Sequence, residues 1–128
     1  MSEGKIKLLV IDDHPFFGMD LKYKLQPYNV EVDTSPDGER GIDHILFSKP
    51  DLVFVDYMMP VMDGLETIRN IRKIKSLEKL PLILFTSEAY PNVIKEAVKA
   101  GASDFITKTT PFEILLQKIQ HYKAQMEK

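Results

Sequence analysis

The run Leu52-Val53-Phe54-Val55-Asp56-Tyr57-Met58-Met59-Pro60-Val61-Met62-Asp63-Gly64 constrains this chain more than any other stretch. An apolar, partly β-branched segment ends abruptly on a carboxylate, and the chain then breaks into proline and glycine. Unbroken apolarity bounded by turn residues reads as a strand buried on both faces of a parallel sheet. Asp56 then stands at the carboxyl end of a central strand, where open α/β sheets hold their ligands. Other strand-like runs end in the same way. Asp12 and Asp13 close Ile6 to Ile11, Thr86 closes Leu82 to Phe85, and Lys108 follows Phe105-Ile106-Thr107. Strand ends therefore converge on three acids, a hydroxyl and an ammonium.

Between these runs the periodicity is helical. Pro15 suits a first helical turn, Phe17, Leu21 and Leu25 form an apolar stripe, and Pro27 stops the helix. Val30-Glu31-Val32 alternates as a half-buried outer strand does. Pro36-Asp37-Gly38 opens a second helix whose inward residues are Ile42, Ile45 and Leu46, closed by Ser48-Lys49-Pro50. The third helix follows Gly64, with Leu65, Ile68 and Ile71 inward and Arg69, Arg72 and Lys73 outward. A fourth begins near Asn92, carries Ile94, Ala97 and Val98, and ends on Gly101 as a C-terminal cap. Phe112, Leu115, Leu116 and Ile119 give the last helix a clean apolar face. Strands alternating with helices require right-handed crossovers and a doubly wound parallel sheet. At 128 residues this is one domain, expected to span 1–128 with its core from about 5 to 121.

The Asp-Asp pair after the first strand, the D-x-M-M-P-x-M-D-G run, the Thr after the fourth strand and the Lys after the fifth fall in one order. That order resembles the receiver domain of two-component response regulators, the CheY-like fold, over essentially the whole chain. The resemblance implies five helices around a five-stranded parallel sheet of order 2-1-3-4-5, which puts Asp12, Asp13 and Asp56 together. It further implies that Asp56 accepts a phosphoryl group from a histidine kinase or histidine phosphotransfer protein. By the same resemblance Asp13, Asp56 and the backbone carbonyl of Met58 bind Mg²⁺, with Asp12 acting largely through water. Lys108 and Thr86 contact the phosphoryl oxygens, Thr86 and Phe105 form the switch, and the side chains of Met58 and Glu88 tune dephosphorylation. The fourth helix, fifth strand and fifth helix form the face that an output domain, a target protein or a second copy reads. Activity is limited to Mg²⁺-dependent self-phosphorylation and slow autodephosphorylation, so no enzyme in the ordinary sense is expected.

The residues support this independently. Three carboxylates a few ångströms apart repel unless a cation sits among them. Hard oxygen ligands without His or Cys favour Mg²⁺. Asp12 or Asp13 alone would serve as a helix cap, but the pair facing Asp56 points to a cation site. His14 and His44 stand singly on helices and read as surface residues, and His121 lies in the tail. Met59 reads as core and Met58 as exposed beside the site. One departure from the family is local: Lys108-Thr109-Thr110-Pro111 displaces the usual proline, so the Lys108–Thr109 bond is expected to be trans.

Net charge of −2 gives no basic footprint for nucleic acid. No segment is long and apolar enough to span a bilayer, and the first residues lack a signal-peptide core. With no cysteine, disulfides and thiolate metal sites are excluded, and a cytoplasmic location fits. Two rivals carry other functions. A haloacid-dehalogenase-like phosphatase also uses Asp, Lys, Thr and Mg²⁺, but wants a second acid two residues after its nucleophile, where Met58 stands. A flavodoxin-like module or degenerate docking receiver would lack the complete acid set.

Overall fold

The computed structural model describes residues 5–87 and 90–126. The elements, in order, are β1 (Ile6–Ile11), α1 (Phe16–Leu25), β2 (Val30–Ser35), α2 (Gly38–Ser48), β3 (Leu52–Asp56), α3 (Gly64–Arg72), β4 (Leu82–Thr86), α4 (Pro91–Ala100), β5 (Asp104–Thr107) and α5 (Phe112–Met126). Short 3₁₀ turns follow α1 and α3, at Gln26–Tyr28 and Lys75–Leu77. All strand pairs are parallel, in the order β2-β1-β3-β4-β5. This is the expected receiver-like architecture.

Strand alternation sorts the core into two layers. Leu8, Val10, Leu52, Phe54, Ile83 and Phe85 meet Leu21 and Leu25 of α1 and Leu115 and Ile119 of α5. Their neighbours Leu9, Ile11, Val53, Val55, Leu82 and Leu84 meet α2, α3 and α4 on the other face. Every residue of β3 and of β4 is buried, as expected for central strands covered on both sides.

Two Asp-Gly pairs start helices. The Asp37 carboxylate accepts from the Arg40 N–H at 2.8 Å and that of Asp63 from the Glu66 N–H at 2.9 Å, satisfying donors that a helix end leaves open. Gly101, at φ 112°, closes α4 in the left-handed conformation, as read from the sequence.

Three side-chain assignments need correction. Leu46 lies on the solvent side of α2, because Gly41 is the residue seated against the sheet: a Cβ there would collide with Ile11. Val98 is 69% exposed, since α4 turns Val93, Ala97 and Ala100 inward and leaves Ile94 half-buried. Arg72 is not an outward residue. Its guanidinium donates to the carbonyls of Gly101 and Leu77, both at 2.9 Å.

Candidate functional site

Strand register builds the site. Ile11 pairs with Val55, so the next residues, Asp12 and Asp56, leave their strands at the same level. Asp56 itself pairs with Phe85, one residue before Thr86, and Thr86 pairs with Thr107, one before Lys108. Backbone bonds fix the loops beyond. The Asp12 N–H donates to Ser35 O at 3.0 Å, the Tyr57 N–H to Phe85 O at 2.9 Å and the Lys108 N–H to Thr86 O at 2.8 Å. Gly64 returns to the strand end, its N–H donating to Tyr57 O at 2.9 Å. Any side chain at Gly64 would run into the Asp56 carbonyl and Leu84, so glycine is required for this close approach.

The resulting pocket holds buried charge. Asp56 is 2% exposed and Asp12 6%, while Asp13 is half-buried at the rim. The Lys108 ammonium lies 3.4 Å from Asp56 Oδ2 and 3.5 Å from Asp12 Oδ2, spanning both acids. It also sits 5.3 Å above the centre of the Phe85 ring. The Asp56 carboxyl is pushed up to about 7, first by burial and then by the neighbouring Asp12 carboxylate, with Lys108 pulling the other way. Asp12 Oδ1 accepts the His14 N–H at 3.0 Å, a short turn into α1. Yet Asp12 Oδ2 and Asp13 Oδ1 are buried and accept no hydrogen bond. Buried carboxylate oxygens left open in this way fit a cation ligand better than a helix cap. The all-oxygen set of Asp12, Asp13 and Asp56 suits Mg²⁺.

The structure thus brings Asp12, Asp13, Asp56 and Lys108 together. Thr86 is buried at the end of β4, and Phe105 is half-buried on β5 against the layer formed with α4. Met58 is 68% exposed and Met59 buried, as anticipated. Glu88 lies outside the described residues. Among the described residues no peptide bond is cis, so Lys108–Thr109 is trans. The loop between β3 and α3 contains Val61 at φ 70°, with the Met62 N–H donating to Pro60 O at 2.8 Å. This is a strained γ-turn beside the pocket.

Sequence reading misplaced His14, and His44 lies on its helix as read but less exposed than expected. His14 precedes α1 instead of lying on it, and its Nδ1 stands 3.3 Å from Asp13 Oδ1. His44 is half-buried on α2, with Nδ1 3.1 Å from Ser35 Oγ. The sequence signal for His14 is its adjacency to Asp13; the turn through Asp13, His14 and Pro15 ends before α1 begins at Phe16.

The chain matches the family described as "Response regulator receiver domain" over residues 8–120. The transcriptional regulatory protein RprY of Bacteroides fragilis is 34% identical over 118 residues, covering 92% of this chain and 49% of RprY. Among solved structures, the BeF3-activated N-terminal receiver domain of Klebsiella pneumoniae RstA superposes with a TM-score of 0.84. That pair is 32% identical, and the match covers 91% of this chain and 97% of the RstA one. The chemotaxis protein CheY4 of Vibrio cholerae gives 0.85 at 27% identity, covering 91% of this chain and 98% of CheY4. The chain spans about half the length, or less, of the curated relatives it matches.

Proposed function

The chain belongs to the response regulator receiver family, and on that premise we propose that Asp56 is its phosphoacceptor. The observation that carries this is the buried Asp56 carboxylate at the end of β3, with the Lys108 ammonium 3.4 Å from its Oδ2. The donor is a sensor histidine kinase or a histidine phosphotransfer protein. A carboxylate oxygen of Asp56 attacks the phosphorus in line and the donor's imidazole leaves. Lys108 places its charge where the phosphoryl oxygens arrive, and Thr86 offers them a hydroxyl. Asp13, Asp56 and the Met58 carbonyl would hold Mg²⁺, with Asp12 acting largely through water. When bound, the ion supplies positive charge that offsets the carboxylates and the phosphoryl oxygens.

In this reading Thr86 and Phe105 shift a two-state equilibrium of the α4, β5 and α5 face. An output domain, a target protein or a second copy of the chain reads that face. Met58 and Glu88 tune the rate at which water removes the phosphoryl group, and no separate substrate is turned over. Residues 1–128 act as one receiver unit, core about 5–121, in a cytoplasmic setting. Among the described residues no helix is long and apolar enough to cross a membrane. Nothing in the matches points to the haloacid-dehalogenase alternative.

Intact-mass measurement after incubation with acetyl phosphate and Mg²⁺ tests the assignment. The parent gains one phosphoryl mass and Asp56→Asn gains none. A full gain in Asp56→Asn overturns it.

A further inference from the structure

We propose that His14 adds a nitrogen ligand to the acidic pocket, so that the site takes divalent first-row transition ions such as Zn²⁺ through His14 as well as Mg²⁺ through oxygen. The inference rests on reading that pocket as the metal site and goes beyond it, since an all-oxygen set has no place for an imidazole.

Ligand atoms of Asp12, Asp13, His14 and Asp56 lie within 4.8 Å of one another. An ion with ligand bonds of about 2.1 Å separates adjacent ligands by roughly 3 Å and opposite ones by roughly 4.2 Å. The His14 Nδ1 to Asp13 Oδ1 distance of 3.3 Å already matches an adjacent pair. The 4.0 Å from Nδ1 to Asp12 Oδ1 lies within the span of one coordination sphere. The remaining mismatch is small enough for side-chain rotation, and the His14 ring is free to rotate, being 73% exposed.

The second observation is independent of this proximity. Asp12 is more than nine-tenths buried, and its Oδ2, like Asp13 Oδ1, accepts no hydrogen bond. Lys108 faces Asp12 and Asp56 and is held to that side by both. On the other side of the pocket, Asp13 Oδ1 faces the His14 ring, whose Nδ1 stands 3.3 Å away. Asp12 Oδ2 thus has the Lys108 ammonium at 3.5 Å and no hydrogen-bond donor, and Asp13 Oδ1 stays without a donor beside the exposed His14 ring nitrogen. Oxygen ligands alone suit Mg²⁺, whereas imidazole suits Zn²⁺ and other transition ions, whose affinity for nitrogen exceeds that of Mg²⁺. His14 therefore contributes to one class of ion and little to the other.

The test is titration calorimetry of untagged, EDTA-treated protein with Zn²⁺ and with Mg²⁺ at one pH, for the parent and His14→Ala. Nitrogen-15 spectra of the histidine rings are followed with Zn²⁺. The exposed position of His14 makes the substitution safe for folding. The ratio of Zn²⁺ to Mg²⁺ affinity should fall at least about tenfold in His14→Ala, and the ring shifted by one equivalent of Zn²⁺ should be His14. A smaller change in the ratio, or a shift confined to His44 or His121, overturns the proposal and leaves the Mg²⁺ reading standing. Failure of the parent to bind either ion at millimolar concentration overturns both.

Discussion

The two edges of the sheet treat buried polar groups in opposite ways. At the amino edge, the Asp51 carboxylate accepts from the Lys7 N–H at 2.8 Å, and the Lys7 ammonium donates to Ser48 O at 2.8 Å. Arg72 there ties the Gly101 and Leu77 carbonyls, and Ser103 Oγ accepts the Leu82 N–H at 3.1 Å. These groups hold elements together and are satisfied. At the carboxyl edge, Asp12 and Asp56 are more deeply buried and share one ammonium, and Asp12 Oδ2 and Asp13 Oδ1 accept no hydrogen bond. The contrast also separates aspartates of one type. Asp37 and Asp63 are spent on helix caps, whereas Asp12, Asp13 and Asp56 face each other. A fold built for stability alone would not crowd like charge at low exposure. The carboxyl edge is therefore where like charge is held at a cost to stability.

The largest expected effect lies at the amino edge. Arg72→Met leaves two carbonyls without their donor and should lower stability by about 2 kcal/mol. For a domain of this size that is a fall in Tm of roughly 7 °C. Mg²⁺ binding should be unchanged. Loss of Mg²⁺ affinity in this variant would mean that the edges are not separate devices.

The next effect belongs to the carboxyl edge and to pH. Asp56 titrates near 7 in the folded chain, above its ordinary value of 3.8. A carboxyl group so raised binds its proton more tightly when folded, so its stabilisation is complete below about 3.8 and is lost as pH rises through about 7. Metal-free protein should lose stability as pH rises from about 4 to about 7, by an amount on the order of 1 kcal/mol. Asp56→Asn should flatten that slope. Denaturant unfolding in EDTA across the range checks it, and an equal slope in the variant would place the titration elsewhere.

The smallest effect concerns the loop that bridges site and helix. Val61 holds a left-handed backbone that disfavours a β-branched residue, while glycine loses more chain entropy on folding. The net gain expected for Val61→Gly is about 0.5 kcal/mol, read as a small rise in denaturation midpoint. A loss of stability would show that Val61 is not strained.

The strands and the acid set were legible in the sequence because both depend on short local patterns. Apolar runs ending on Asp12, Asp56, Thr86 and Lys108 announce themselves, and the strand order came with the family resemblance. Helix faces were harder. Scanning for large apolar residues selected Leu46 and Val98, but close packing on the sheet and between helices selects Gly41, Ala97 and Ala100 instead. Arg72 looked like surface charge because its partners come from elsewhere in the chain: the carbonyl of Gly101 is 29 residues away. His14 was assigned to a helix that starts two residues later. Its nearness to Asp13 is set by the turn, which sequence pattern does not specify.

The measurement that tests the contrast between the edges most directly is thermal unfolding of the parent and Asp13→Asn near pH 7.5, in EDTA and in millimolar Mg²⁺. Removing one acid should relieve repulsion, so the variant should melt higher than the parent in EDTA. The parent should gain about 1.4 kcal/mol when Mg²⁺ is roughly tenfold above its Kd, a rise in Tm of about 3 °C or more, and the variant should gain less. If Asp13→Asn melts lower than the parent in EDTA, or keeps the full Mg²⁺ shift, the carboxyl edge is not the charged metal site described here.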